Sequence, residues 1–369
     1  MNIMTILGTR PELIKLSLVI KRLDEFADHV LVHTGQNYDY ELNELLFKDL
    51  EIRQPDYLLN IQAGSLGKTI GKLLIESEKV ILKENPDGLL VLGDTNSCLS
   101  AYIAARLRIP VFHMEAGNRS FDYNVPEEIN RQVIDHIADY NFVTTEHARR
   151  FLLSEGLSPN KIYLTGSPLK EVLDNYKAKI GQSKILDTLN LKSKEYFVFS
   201  THRKENVDRQ ENLQKLIIIM NQLVEQYNLP VIVTTHPRTR EKIESLERQN
   251  PQCTTYDLVR FMKPFGFLDY VKLQMNAKCV LSDSGTISEE SAILNFPAIT
   301  MRKSLERQEA MDTGSIVLTG LDPEVVLNSI SATIKDFETR NNQEIPKDYQ
   351  IKNTSWRVLK MILGNVKIN

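Results

Sequence analysis

Short apolar runs alternate with longer stretches of helical period along the whole chain. In the first half the runs occupy 3–7, 30–33, 88–92, 110–114, 140–144 and 162–164; in the second they occupy 196–200, 230–234, 279–282, 298–301 and 316–318. They are near-continuous in Val, Ile, Leu, Phe and Tyr, the pattern of parallel strands covered on both faces. Strands separated by helical segments predict doubly wound α/β sheets, and 369 residues exceed what one ordinary core fills. The stretch 168–195 carries a helical pattern over 170–180 and a charged connector but no strand signal. Two Rossmann-like domains, 1–170 and 171–369, are therefore expected, with the amphipathic pattern 356–363 as a terminal helix that packs back across the join.

The residues after each run add chemistry. The runs end in Gly8-Thr9-Arg10, Thr34-Gly35-Gln36, Gly93-Asp94-Thr95, Glu115-Ala116-Gly117, Thr201-His202-Arg203, Thr235-His236-Pro237 and Asp283-Ser284-Gly285. Ligands of open α/β sheets bind beyond the carboxyl ends of the strands, so these turns are where a site belongs. Any one polar, glycine-containing βα turn is unremarkable in itself; seven that carry Arg, Asp, Glu or His favour a site.

Composition removes several function classes. Hydrophobic content of 42% and charged content of 25% are ordinary for a soluble globular protein. A net charge of -3 argues against a general nucleic-acid binder. Cys98, Cys253 and Cys279 are odd in number and far apart, which suits neither a disulfide framework nor a zinc site and fits a cytoplasmic setting. The opening MNIMTILGTRPE has no signal-peptide pattern, and no run reaches the ~20 apolar residues of a membrane span.

Several constellations could carry chemistry. Gly8 would allow a tight turn and Pro11 and Glu12 would suit the start of a helix, with Arg10 at an anion-binding helix mouth. No GxGxxG is present, so a nicotinamide or flavin cofactor is not expected. Ser284, Gly285 and Thr286 could cradle a diphosphate, with Glu290 one turn on reaching a ribose; Ser284 could equally be a helix cap. Asp94 and Glu115 close neighbouring strands. Glu127 and Arg131 would share the polar face of a helix begun by Pro126, opposite Ile129, Val133 and Ile137. That pair reads either as an exposed ion pair or as part of an acid–base set. His202 and His236 end strands as phosphate donors, proton carriers or simple caps, and Glu306-Arg307 reaches a nucleobase or lies on the surface. No DxD or HxH spacing supports a metal.

Taken in order, GTRPELIK (8–15), GDTNS (93–97), HMEAG (113–117), PEEINR (126–131), THRKEN (201–206), SDSGTISEE (282–290) and ERQEAMDTG (306–314) resemble the non-hydrolysing UDP-N-acetylglucosamine 2-epimerase family over essentially the whole chain. The resemblance implies a glycosyltransferase-B-like pair of Rossmann domains, an active site in the interdomain cleft, a homodimer, and no cofactor or metal. By the match, Arg10, Ser284, Glu290 and Arg307 hold UDP, with Gly285 and Thr286 contributing through the loop. Lys15, Asp94, Glu115, Glu127, Arg131 and His202 surround the sugar and diphosphate, and Phe267 is a candidate uracil contact. Asp94, Glu115, Glu127 and His202 are the implied catalytic set. The implied reaction inverts C2 of a UDP-activated 2-acetamido sugar by elimination and re-addition of UDP.

Departures from the family pattern bear on the substrate. The forms HMEAGNRSFDYNVPEEINR, GDTNSC and SDSGT resemble the branch that converts UDP-2-acetamido-2,6-dideoxy-L-talose to UDP-N-acetyl-L-fucosamine for capsule or O-antigen. Gly64 stands where many UDP-N-acetylglucosamine epimerases carry a Gln used for activation, and His236-Pro237-Arg238 departs from HPNP. Interconversion of UDP-N-acetylglucosamine and UDP-N-acetylmannosamine is the alternative, and a UDP-sugar glycosyltransferase on the same fold the more distant one.

Overall fold

The computed structural model describes residues 1–36, 40–201, 203–234, 237–249, 254–339 and 344–366. His202, His236 and Cys253 lie outside the described residues. The chain divides into two compact units, Met1–Asn175 with Lys347–Asn369, and Tyr176–Pro346. The division falls inside the helix Pro168–Gln182, five residues beyond the expected 170/171 boundary.

Unit 1 is built on seven parallel strands: β1 (Asn2–Leu7), β2 (Asp28–His33), β3 (Tyr57–Leu58), β4 (Gly88–Leu92), β5 (Val111–Ala116), β6 (Tyr140–Val143) and β7 (Ile162–Leu164). Their spatial order is β3-β2-β1-β4-β5-β6-β7. Unit 2 holds β8 (Phe197–Ser200), β9 (Val231–Thr234), β10 (Val259–Met262), β11 (Cys279–Ser282), β12 (Ala298–Thr300) and β13 (Val317–Leu318), ordered β10-β9-β8-β11-β12-β13. Every pairing is parallel. The strand order reverses between β1 and β4 in one sheet and between β8 and β11 in the other. These are the switch points at which such sheets bind ligands.

The continuous apolar runs have a direct cause. In β8, Phe197 and Phe199 enter one core with Leu216, Leu223 and Val326, while Val198 enters another with Ile287, Phe296 and Ala298. Successive side chains point to opposite faces, and here both faces are buried, so the three buried positions Phe197–Phe199 are all apolar. The strands β3 and β10 were not expected from the pattern. The first has two residues, and in the second only Val259 of Val-Arg-Phe-Met is fully buried. Both are edge strands, where one-sided cover permits polar residues.

The terminal helix Thr354–Asn365 belongs to unit 1 and packs on the first helix, Arg10–Phe26. Trp356 is its anchor, with the Arg22 guanidinium 4.2 Å above its ring and the Phe26 ring 5.5 Å away. Among the described residues no helix is long and apolar enough to cross a membrane.

Candidate active site

In unit 1 the turns after β1, β2 and β4 meet at Gly8. A Cβ there would lie 2.1 Å from both Ser97 Oγ and Thr34 Oγ1, which are themselves hydrogen-bonded at 2.9 Å. Gly8 thus lets the short turn between β1 and the helix pass against two other loops. Its φ is not in the left-handed region, and it is required because three loops touch. Pro11 and Glu12 stand in the first turn of the helix, as expected, and Arg10, half-buried, is its first residue.

Asp94 follows β4 after Gly93. Its Oδ2 accepts from Arg131 Nε at 2.6 Å, and its carbonyl accepts from Asn130 Nδ2 at 2.9 Å. Glu115 lies at the end of β5, the neighbouring strand, in a left-handed conformation (φ +60°) where the register against β6 shifts between Met114 and Ala116. A bulge of this kind re-aims a side chain, and left-handed backbone at a residue with a Cβ costs roughly 1–3 kcal/mol. The strain brings the buried Glu115 Oε1 to 2.5 Å from Nζ of the equally buried Lys15. Each carboxylate therefore sits against a cation from a different helix.

The helix Pro126–Ile137 corrects one expectation. Ile129 and Val133 are exposed, while Glu128, Arg131, Ile134 and Asp135 are buried. The polar stripe faces inward because it has polar work there. Glu128 accepts from the Ser120 N–H and hydroxyl at 3.0 and 2.8 Å, from the Phe121 N–H at 3.1 Å and from Arg131 Nη1 at 2.5 Å. Burial pushes the Glu128 carboxyl up, but the Ser120 donors and Arg131 outweigh it and hold it below its ordinary range. Glu127 is half-buried next to this residue, which the sequence reading passed over.

A buried network supports the Glu115 turn. His113 Nε2 donates to the Gly93 carbonyl at 2.7 Å, and its Nδ1 lies 2.9 Å from Asp135 Oδ1, close but poorly aligned for a hydrogen bond. Asp135 accepts from Arg119 Nη1 at 2.7 Å and from the Gly117 N–H at 3.2 Å. Gly117 has φ +76°, and a Cβ there would lie 2.4 Å from the Ala148 carbonyl. Gly117→Ala is accordingly expected to lower the unfolding free energy by roughly 1–3 kcal/mol from the backbone alone, with the clash adding to it. Chemical denaturation of the two proteins measures this, and an unchanged midpoint would contradict it.

In unit 2 the loop after β11 is held from several sides. Asp283, fully buried, accepts from the Thr201 hydroxyl at 2.9 Å, the Arg203 N–H at 3.1 Å and Asn206 Nδ2 at 3.0 Å. Its carbonyl accepts from Arg203 Nε at 3.0 Å, and the Gly285 carbonyl from Arg307 Nε at 3.1 Å. With these carbonyls engaged by arginines, the loop leads into the N-terminus of the helix Ile287–Leu294, whose first N–H groups attract anions. The Ser284 and Thr286 hydroxyls lie 3.0 Å apart. Glu290 accepts from Thr286 Oγ1 at 2.7 Å and from Gln274 Nε2 at 2.6 Å, which fixes its carboxylate at the same loop. Arg307 also pairs with the buried Glu289 at 3.1 Å, and Glu306 with Arg302 at 2.5 Å. Phe267 is buried with its ring edge-on to Tyr176.

Both motif sets thus sit at the two switch points. The family model for UDP-N-acetylglucosamine 2-epimerase matches residues 21–363. The chain belongs to the UDP-N-acetylglucosamine 2-epimerase family. It is an enzyme of that isomerase class, with two units of the glycosyltransferase-B-like kind. The solved UDP-N-acetylglucosamine 2-epimerase of Rickettsia bellii is 46% identical, with a TM-score of 0.91 over 99% of this chain and 97% of that one. The Methanocaldococcus jannaschii UDP-GlcNAc 2-epimerase, solved in complex with UDP-GlcNAc and UDP, is 35% identical, with a TM-score of 0.91 over 99% of this chain and 100% of that one. A UDP-2,3-diacetamido-2,3-dideoxy-D-glucuronate 2-epimerase from Pseudomonas aeruginosa is 36% identical over 91% of this chain and 94% of its own length.

The residues that the sequence reading missed in this epimerase are chiefly Glu128, Asp135 and the anchoring role of Asp283, while Glu12 reads in sequence only as a helix-start residue. Only Glu12 left a usable local signal, the Thr-x-x-Glu spacing of a capping box.

Proposed function

We propose that the enzyme inverts C2 of a UDP-linked 2-acetamido sugar without hydrolysis. A base takes the C2 proton while the C1–O bond to UDP breaks. The C–H electron pair becomes the C1=C2 bond of a 2-acetamidoglycal, and UDP leaves with the C1–O pair. Protonation of C2 from the other face and return of the UDP oxygen to C1 give the epimer. The reading is carried by Asp94 and Glu115, carboxyl groups at the ends of adjacent strands, each set against its own cation. Two acid–base groups are what removal from one face and delivery to the other require. Glu127 completes the set, and Arg10, His202 and the Ser284–Thr286 loop are assigned to the developing charge on the diphosphate, with Glu290 and Arg307 on the nucleoside side.

For the sugar, the forms GDTNSC, SDSGT and HMEAGNRSF favour UDP-2-acetamido-2,6-dideoxy-L-talose, giving UDP-N-acetyl-L-fucosamine for surface polysaccharide. The second reading, UDP-N-acetylglucosamine and UDP-N-acetylmannosamine, is favoured by the similarity to the Rickettsia and Methanocaldococcus enzymes. The Pseudomonas relative acts, by its name, on a further UDP-sugar, in keeping with a family whose substrates vary. The family resemblance also supports a homodimer. Proton NMR in D2O with each sugar offered separately tests the proposal. Deuterium is expected at C2 of a sugar still linked to UDP, and the sugar that exchanges decides between the readings. Tight UDP binding without exchange in either would overturn the epimerase assignment.

A further inference from the structure

The carboxyl group of Glu12 lies under the first turn of unit 1, with 2% of the residue exposed. Its Oε2 accepts from the Gly8 N–H at 2.8 Å, the Thr9 N–H at 2.7 Å and the Thr9 hydroxyl at 2.9 Å. Its Oε1 accepts from the Thr95 hydroxyl at 2.8 Å. Because β1 and β4 are neighbours, this one group joins the two turns that flank the switch point. Asp94 sits between Gly93 and Thr95, and on its other side Asn130 and Arg131 hold its carbonyl and carboxylate. Among the described residues no cation lies within ion-pair distance of Glu12.

We propose that Glu12 is a positioning residue for the epimerisation: its ionised carboxylate ties Thr95 to the first turn and so holds Asp94 in place, and uptake of a proton releases the tie. The inference rests on the assignment of Asp94 to the reacting C2 centre.

An ionised carboxylate only accepts, and four donors converge on this one. The Gly8 and Thr9 N–H groups cannot turn round and, with the Thr9 hydroxyl, they occupy Oε2, so Oε1, with its single Thr95 donor, is the oxygen open to an added proton. The tie to Thr95 is therefore the contact that protonation loosens, because a neutral carboxyl accepts more weakly than a carboxylate. Burial pushes Glu12 up to about 7, against the hydrogen bonds from Gly8, Thr95 and Thr9. The group therefore changes state around neutrality. Around the two turns the other ionisable groups are the Cys98 thiol, 3.9 Å from Oε1, Asp94 with its partner Arg131, Glu115, His113 on the Gly93 carbonyl, and His33 at the end of β2; on the helix itself they are Arg10 and Lys15, the latter paired with Glu115. Burial, then Glu12 and Asp94, pushes Cys98 well up, and burial brings His33 down to about 4, so both stay neutral in this range.

The test is the pH dependence of kcat and KM for the full-length enzyme, using whichever UDP-sugar exchanges deuterium. Wild-type kcat is expected to fall as pH drops through about 7. Thr95→Val removes the tie itself, so it should lower kcat by roughly 10²-fold across the pH range and flatten that fall, whereas Thr95→Ser should leave both kcat and the fall in place. Glu12→Gln should abolish the fall and lower kcat by roughly 10²-fold, with KM and UDP affinity little changed. A wild-type fall in Thr95→Val, or undiminished kcat in either Thr95→Val or Glu12→Gln, would overturn the proposal. If Glu12→Gln fails to fold, the two Thr95 variants decide. Failure of the underlying site assignment shows separately, as Asp94→Asn exchanging deuterium at the wild-type rate.

Discussion

Replacing Asp94 by Asn is expected to reduce C2 exchange by roughly 10²–10⁴-fold, the usual contribution of a positioned acid or base. Asn keeps the shape of the side chain and loses the charge and the proton-accepting oxygen. Arg131 keeps its bond to the buried Glu128, so the helix Pro126–Ile137 retains an anchor and the fold is expected to survive. UDP is assigned to the Ser284–Thr286 loop of unit 2, so UDP affinity should stay near wild type. Deuterium wash-in followed by NMR gives the first quantity and calorimetric titration with UDP the second. Loss of UDP affinity together with exchange would make Asp94 a binding or structural group, and an undiminished exchange rate would remove it from the chemistry.

Arg119→Leu should have the largest effect on stability, a loss of about 3–5 kcal/mol. Arg119 is completely buried and forks between two carboxylates, donating to Asp135 at 2.7 Å and to Glu155 at 2.7 and 2.6 Å. Leucine fills much of the volume but leaves Asp135, also completely buried, short of its principal cation. The pH dependence should change with it. Burial pushes Asp135 up, but His113 and Arg119 outweigh it and hold the carboxyl below its ordinary value. A depressed carboxyl contributes stability above its unfolded value, and that contribution is lost as pH falls through the folded one. Without Arg119 the folded value rises, so acid unfolding should begin at a higher pH than in wild type. Denaturant titrations at several pH values measure both effects. A loss below about 1 kcal/mol, the level of an exposed ion pair, would mean that this cluster is not the support described here.

Much of the architecture was legible in the sequence because strands buried on both faces leave an unbroken apolar signature, and because polar turns after such runs mark the ligand end of the sheet. Runs such as 88–92 and 279–282 coincide with β4 and β11. The family motifs carry the chemistry further than any spacing argument, since they single out Asp94, Glu115 and the Ser284 loop without reference to their surroundings. What only the tertiary structure decided concerns partners. Side-chain period shows which residues share a helix face but not whether that face turns inward. Ile129 and Val133 look like core positions until Glu128 and Arg131 are seen filling the buried side of their helix. Glu12 reads locally as a helix-start residue; that it reaches Thr95 depends on β1 and β4 lying side by side. A buried charge is stable only with donors and counter-ions around it, and these come from residues distant in the chain: Lys15 for Glu115, Thr201 and Asn206 for Asp283. Apolar burial is non-directional and is written locally in the sequence, whereas satisfaction of buried polar groups is directional and is settled only when the chain has folded.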